Sequence, residues 1–178
     1  MVSSNNVCKL RGYLDRESLE CVFHAFITTK LDYCNSLYYG LPSKQIQRLQ
    51  SIKNVAARII SHIHKYDSST PVLRSLHWLP VQQRVIFKTL VLVYKSQQYG
   101  SILHLQELIT PYAHSRTLRS SDQSLQVPFT TSAVIQTRAF SVASPKLWNA
   151  LPYDIRTAAS LCIFNSKLKT HLYAIHYN

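Results

Sequence analysis

Apolar residues recur three and four positions apart along most of the chain, which is the spacing of amphipathic helices. The regular stretches predict helices over 17–31, 44–65, 80–98 and after an N-cap at Ser160, with shorter ones after an N-cap at Thr70, over 101–109 and within 138–148. Residues 111–132 lose this periodicity and are rich in Ser, Thr, Gln and Pro, so we expect a loop or a pair of short strands. The pattern predicts a mainly α fold with a helical region 1–110, the segment 111–132 and a smaller, loop-rich helical extension 133–178.

The predicted helix 44–65 shows the clearest division into two faces. We expect its buried face to hold Ile46, Leu49, Ile52, Ala56, Ile59, Ile60 and Ile63. At ~100° per residue, the opposite side holds Lys44, Arg48, Arg58, His62 and Lys65. Lys53 lies off this basic row, and Val55 lies within it. Because no acidic residue occurs between Asp32 and Asp67, ion pairs along the helix cannot neutralise the row.

Charge is the compositional feature that says most about partners. The chain has 178 residues, 46% of them hydrophobic, and a formal net charge of +12. Residues 1–32 hold four basic and four acidic residues, so the remaining sixteen basic and four acidic residues of 33–178 give the whole +12. This field favours a polyanionic partner, with nucleic acid expected before an anionic membrane surface. The alternative is a basic protein without a particular partner.

The same composition excludes several classes of protein. Three glycines are too few for a glycine-rich phosphate loop or for many tight hairpin turns. The chain has no apolar run long enough to span a membrane, and its start lacks the apolar core of a secretory signal. We therefore expect an intracellular protein, in the nucleus or cytoplasm, with no membrane partner.

Cysteines and histidines give little sign of a metal site. Cys8, Cys21, Cys34 and Cys162 are far apart and form no C-x-x-C pair. We expect reduced thiols that pack as small apolar groups, and neither a metal nor another cofactor.

Catalysis by this chain is not expected. Beyond residue 32 the acidic residues Asp67, Glu107, Asp122 and Asp154 are isolated in sequence, whereas polymerases and many nucleases hold metals with clustered carboxylates. No nucleophile elbow, zinc-protease motif or phosphate loop occurs, and no small-molecule substrate is indicated.

Aromatic residues leave two interpretations open. Eleven tyrosines are present, and any that lie exposed beside cations would be able to stack on bases. Tyrosines are also common as half-buried core residues whose hydroxyl reaches water. Trp78 and Trp148 lie among apolar residues and prolines, so we expect both in the core.

Long stretches of the chain resemble one family. The segments FITTKLDYCNSLYYGLP, LQSIKNVAARII and TPVLRSLHWLPVQQRVIFKTLVLVYK, followed by RAFSVASPKLWNALPYDIR and FNSKLKTHLY, are similar to the C-terminal part of LINE-type, non-LTR retrotransposon reverse transcriptases. The motif positions that match are structural, not catalytic: Leu31, Asp32, Tyr33, Cys34, Asn35, Trp78, Leu79 and Pro80. The resemblance covers nearly the whole chain from about residue 8.

The resemblance implies a thumb-like helical bundle in 1–110, beginning with helices that flank the template–primer duplex, and a C-terminal extension. It also implies RNA or an RNA–DNA hybrid as partner. The family's palm sequence (F/Y)-A-D-D is absent, so we expect a non-catalytic fragment, and the Met start just upstream suggests a truncated copy. The nucleic-acid-binding residues expected are Lys44, Arg48, Arg58, His62, Lys65, Arg84 and Lys88. The alternatives are a helical protein-interaction module or a remnant reading frame without function.

Overall fold

The computed structural model describes residues 13–99, 103–112, 124–129 and 138–177, and these are mainly helical, which confirms the predicted fold class. A π-helical turn, His24–Thr28, joins the first two helices, and a 3-10 turn follows at Asn35–Tyr38. Among the described residues there is no strand, only an isolated antiparallel bridge between Pro111 and Leu125. The helices are α1 Arg16–Phe23, α2 Thr29–Asp32, α3 Ser43–Ile60, α4 Thr70–Ser75, α5 Val81–Tyr99, α6 Leu103–Gln106, α7 Phe140–Asn149, α8 Tyr153–Arg156 and α9 Leu161–Tyr177.

The helices follow the apolar periodicity in outline, but the helix predicted over 17–31 is interrupted by the π-helical turn and the one predicted over 101–109 ends at Gln106. The helix predicted from Thr70 has Ser69 at its N-cap, so it begins one residue earlier than a Thr70 cap implies. The helix predicted over 44–65 ends at Ile60. At the last helix, the Ser160 hydroxyl accepts a 3.3 Å hydrogen bond from the backbone N–H of Ile163, which confirms Ser160 as its cap.

The chain divides into two compact units. Unit 1 comprises the described residues up to Cys34 together with Leu41–Val81, and unit 2 comprises Asn35–Gly40 together with the described residues from Gln82 onward. The division predicted at 111–132 stays a prediction, because most of that segment lies outside the described residues. The buried apolar residues of unit 1 are Leu19, Phe23, Ala56, Ala57, Ile59, Ile60, Leu73, Trp78, Leu79 and Val81.

Three stacked aromatic rings lie at the centre of unit 2. The Phe164 ring centroid lies 4.4 Å from that of Tyr94 and 5.8 Å from that of Trp148. The Tyr94 hydroxyl donates a 2.8 Å hydrogen bond to the carbonyl of Ala158, so this buried polar group is satisfied. Trp148 is 1% exposed, and Trp78 of unit 1 is 8% exposed, which confirms that both tryptophans are core residues.

Polar side chains fix the short segment 124–126 within unit 2. The Asn149 side-chain amide accepts a hydrogen bond from the Leu125 N–H at 2.9 Å and donates one to the Leu125 carbonyl at 2.8 Å. Arg156, which is buried, donates to the Ser124 hydroxyl at 3.3 Å. Asn149 thus supplies both hydrogen bonds that a neighbouring strand would give to Leu125.

Gly40 is required where Asn35–Gly40 meets Arg138. The Arg138 guanidinium donates to the carbonyls of Tyr39 at 3.1 Å and Leu37 at 3.3 Å. Gly40 has φ +69°, and a Cβ at this position would lie 2.5 Å from Cγ of Arg138. A side chain here would therefore be strained by the backbone and would also collide with the arginine stem.

The cysteines differ from the sequence-based expectation. Cys21, Cys34 and Cys162 are free and exposed, so the prediction that they pack in the core is wrong for these three, and Cys8 lies outside the described residues. Cys21 occupies the polar side of α1, because Leu19 and Phe23 supply its buried side. Cys34 has φ +49°, a left-handed conformation that favours glycine.

We predict that Cys34→Gly stabilises the protein. The left-handed conformation costs a residue with a β-carbon about 1–2 kcal/mol, and substitution by glycine removes this cost. The extra entropy of glycine in the unfolded chain cancels about 0.5–1 kcal/mol of the stability gained. The free energy of unfolding, measured by urea denaturation under reducing conditions, should therefore rise by roughly 0.5–1 kcal/mol. The matched control is Cys21→Gly within α1, which should lower stability by about 0.5–1 kcal/mol. Equal effects at the two positions would contradict the argument.

Candidate nucleic-acid interface

Helix α3 packs one face into unit 1 and presents the other to solvent. Its buried residues are Lys53, Ala56, Ala57, Ile59 and Ile60. Ile52, which was expected in the core, is 47% exposed, so that prediction is wrong; Val55 is 40% exposed. At ~100° per residue, Ile52 points in nearly the same direction as the buried Ala56 and Ile59, so its position around the helix does not account for its exposure.

Lys53 is the buried cation of this helix, and apart from its place off the basic row nothing in the sequence predicted its burial. Its side chain is 5% exposed, its Nζ donates a hydrogen bond to the carbonyl of Leu79, and the same Nζ lies 5.5 Å from the Trp78 ring centroid. The Trp78 ring also meets that of His24 edge-on at 5.5 Å. A carbonyl and an aromatic face thus solvate the ammonium group, as in cation–π sites.

Gln50, one turn before Lys53, contacts the same stretch of backbone. Its Oε1 accepts a 2.8 Å hydrogen bond from the N–H of Val81, and its Nε2 donates to Oδ1 of Asn54 at 2.8 Å. Val81 is the first residue of α5, and the first N–H groups of a helix lack partners within the helix. Gln50 and Lys53 therefore fix the rotation of α3 about its axis, with the basic side outward.

The outward side of α3 is positive and contains no acid. Lys44 and Arg48 are both exposed and lie one turn apart. Gln45, Gln47 and Ser51, which are also exposed, are neutral. Lys44 and Arg48 are thus two predicted site residues that the structure places together, where an anionic backbone would meet them without competition from neighbouring carboxylates.

Helix α3 ends earlier than predicted, which removes His62 and Lys65 from its basic row. His62 has φ +54°, and the N–H of the next residue, Ile63, donates to the carbonyl of Arg58 at 3.3 Å. This is the helix-ending arrangement in which glycine usually occupies the left-handed position. Without a glycine, the sequence offered no signal for this end, and the prediction that His62 and Lys65 lie on the helix is wrong.

Arg58 has a structural contact that the sequence did not reveal. Its Nε and Nη2 both donate to the backbone carbonyl of Asp67, at 3.2 and 3.1 Å. The Asp67 carboxylate in turn accepts a 2.8 Å hydrogen bond from the N–H of His64. Arg58 therefore closes the turn that follows α3, and Lys65 lies exposed within this turn.

The remaining predicted site residues, Arg84 and Lys88, lie on α5 in unit 2. Both are half-buried and one turn apart. They form a second basic pair, which belongs to unit 2, whereas the α3 pair belongs to unit 1.

The part of the chain that the structure describes contains no group of three or more His, Cys, Asp or Glu residues arranged to hold a metal ion. None of the helices in that part is both long and apolar enough to cross a bilayer. Comparison of the chain with protein-family models, curated proteins and solved structures finds no significant match.

We predict that Gln50→Met destabilises unit 1, because the N–H of Val81, a residue only 3% exposed, loses its acceptor. An unsatisfied buried donor costs about 1–3 kcal/mol, and the free energy of unfolding should fall by that amount. Gln50→Glu retains an acceptor oxygen and should lose less. Gln47→Met on the exposed side of α3 is the control, with an expected change within about 0.5 kcal/mol. Similar losses at positions 47 and 50 would show that the hydrogen bond does not fix α3.

Proposed function

We propose that this chain is a non-catalytic, nucleic-acid-binding fragment similar to the C-terminal region of a LINE-type retrotransposon reverse transcriptase, with RNA or an RNA–DNA hybrid as its partner. The single observation that supports binding most strongly is the outward side of α3, where Lys44 and Arg48 lie exposed with no acid on the same side. Cationic side chains spaced along one helix face contact backbone phosphates, and such contacts position a duplex without reading its sequence.

The family assignment within this proposal rests on the sequence motifs. The stretches from 26–42 to 164–173 follow the order found in that family, whereas the catalytic (F/Y)-A-D-D sequence is absent. A duplex-binding thumb without its palm would hold nucleic acid but would not extend a primer, since phosphoryl transfer by polymerases needs carboxylate-bound metals.

A protein-interaction module is the second candidate function. Ile52 and Val55 favour it, because they expose apolar surface on the same helix as the basic pair. Apolar groups are common in protein interfaces, whereas phosphate contacts do not need them. Nucleic-acid binding by the purified chain, or its absence, distinguishes the two functions.

We predict no primer extension by the purified chain. On an RNA template with a DNA primer, magnesium and deoxynucleotides, product should stay at background, because the chain lacks the palm's paired aspartates. A competent reverse transcriptase in the same buffer serves as the positive control. Templated extension by the chain would refute its assignment as a non-catalytic fragment.

We predict that the double substitution Lys44→Gln with Arg48→Gln weakens binding to an RNA–DNA hybrid and reduces its salt dependence. Each lost phosphate contact lowers the slope of log K against log salt by about 0.9, so the double variant should lose about 1.8. Fluorescence anisotropy over a salt series measures both quantities. Arg58 is left unchanged, because its guanidinium holds the Asp67 carbonyl.

The control for this experiment is Lys146→Gln with Lys169→Gln. Both of these lysines are exposed and lie in unit 2, and the pair changes the net charge by the same amount. If the outward side of α3 binds phosphates, the α3 variant should lose much more affinity and salt dependence than the control variant. Equal losses would indicate a basic surface without a particular partner, and absence of salt-dependent binding by the unchanged chain would favour the protein-interaction module.

A further inference from the structure

The turn after α3, which we call the 62–67 turn (residues His62–Asp67), is held by defined hydrogen bonds. The Arg58 guanidinium binds the Asp67 carbonyl, the Asp67 carboxylate accepts from the His64 N–H, and the Asp67 N–H donates to the His64 carbonyl at 3.2 Å. The Asp67 carboxylate is thus engaged with the backbone of its own turn.

Tyr66 extends from this turn into solvent. It is 88% exposed, and Nζ of the preceding Lys65 lies 5.8 Å from its ring centroid. A cation at this distance from a tyrosine ring is within the range of cation–π attraction. The turn therefore presents a flat aromatic surface and a flexible cation next to each other, at the end of α3 opposite to Lys44 and Arg48.

An unpaired nucleotide combines the two groups that this surface complements. Its base offers a planar face that stacks on aromatic rings, and its phosphate offers a negative charge to the adjacent lysine. In a duplex, by contrast, neighbouring base pairs cover the base faces. A fully paired backbone would engage Lys65 and the α3 cations but would leave the Tyr66 ring unused.

We propose that the 62–67 turn is a binding site for an unpaired nucleotide, in which Tyr66 stacks on the base and Lys65 contacts its phosphate. This inference rests on the proposed function, because it adds a single-strand contact to the backbone binding attributed to α3. The chain would then hold a nucleic acid at a place where paired backbone continues into unpaired sequence.

Tyr13 shows why exposure alone does not make such a site, and it supplies a matched control. It is 89% exposed, almost as much as Tyr66. Tyr66 is followed by one acid, Asp67, whose carboxylate accepts from the His64 N–H. Tyr13 precedes two acids, Asp15 and Glu17, and the arginine between them is paired with Glu20, so these acids would repel a phosphate at the position where Tyr66 has Lys65. The two tyrosines thus differ in their neighbouring charge and not in their accessibility.

The experiment compares two ligands of equal length and charge at one fixed salt concentration. One is a short polyuridine oligonucleotide and the other is its abasic counterpart, which retains sugars and phosphates but has no bases. Fluorescence anisotropy gives the affinity of the full chain for each ligand, and circular dichroism confirms that every variant is folded. We expect the unchanged chain to bind polyuridine more tightly than the abasic strand.

Substitutions then locate the base-dependent part of the affinity. Tyr66→Ala should weaken polyuridine binding by about 5- to 160-fold, the range for loss of one base–aromatic stack, and should leave abasic binding unchanged. Tyr66→Phe keeps the ring and should bind polyuridine like the unchanged chain. Tyr13→Ala should have no effect on either ligand.

Three results would overturn the inference. One is equal affinity of the unchanged chain for polyuridine and the abasic strand, and another is polyuridine binding by Tyr66→Ala that matches the unchanged chain. The third is an equal loss from Tyr13→Ala. In each case salt-dependent binding to a hybrid duplex would still support the proposed function, whereas absence of binding to every nucleic acid would refute both proposals.

Discussion

Helix α3 owes its orientation to two side chains that contact the start of α5. Lys53 donates to the Leu79 carbonyl, and Gln50 accepts from the Val81 N–H. Pro80, which lies between Leu79 and Val81, has no N–H of its own. The Leu79 carbonyl and the Val81 N–H on either side of it both have their hydrogen-bond partners on α3. Because a helix is rigid about its axis, the burial of Lys53 and the hydrogen bond of the half-buried Gln50 on one side place Lys44 on the other. The surface proposed for nucleic-acid binding is therefore a consequence of contacts on the opposite side of the helix.

A second constraint lies at the ends of α3 and α4, where the backbone adopts the left-handed conformation at residues other than glycine. His62 follows α3 and His77 follows α4 in this conformation, with φ +54° and +52°. After α4, the Trp78 N–H donates to the Leu73 carbonyl at 2.9 Å. This bond joins residues five positions apart, as does the bond from the Ile63 N–H to the Arg58 carbonyl after α3. The turn after α4 leads into the buried Trp78 and Leu79, whereas the turn after α3 leads into an exposed segment that holds Lys65 and Tyr66.

In the function that we propose, charge and aromatic exposure would allow one small unit to bind a junction in a nucleic acid. The phosphate backbone of a duplex would bind regularly spaced cations, and Lys44 and Arg48 would provide these on α3. An unpaired base would need a surface for stacking, and the exposed Tyr66 ring would provide one. Ile52 and Val55 fit neither demand, and they are the observation that a protein partner would explain.

The sequence by itself determined the helical class, the positions of the main helices and the excess of positive charge. Apolar spacing depends on the local chain alone, so α3 and α5 were predictable to within a few residues, apart from the end of α3. Tertiary structure decided which neighbour covers each face: it buried Lys53, exposed Ile52, and gave Arg58 a carbonyl partner. Helical periodicity cannot predict these outcomes, because a long lysine stem packs like an apolar chain once a carbonyl and an indole ring receive its charge.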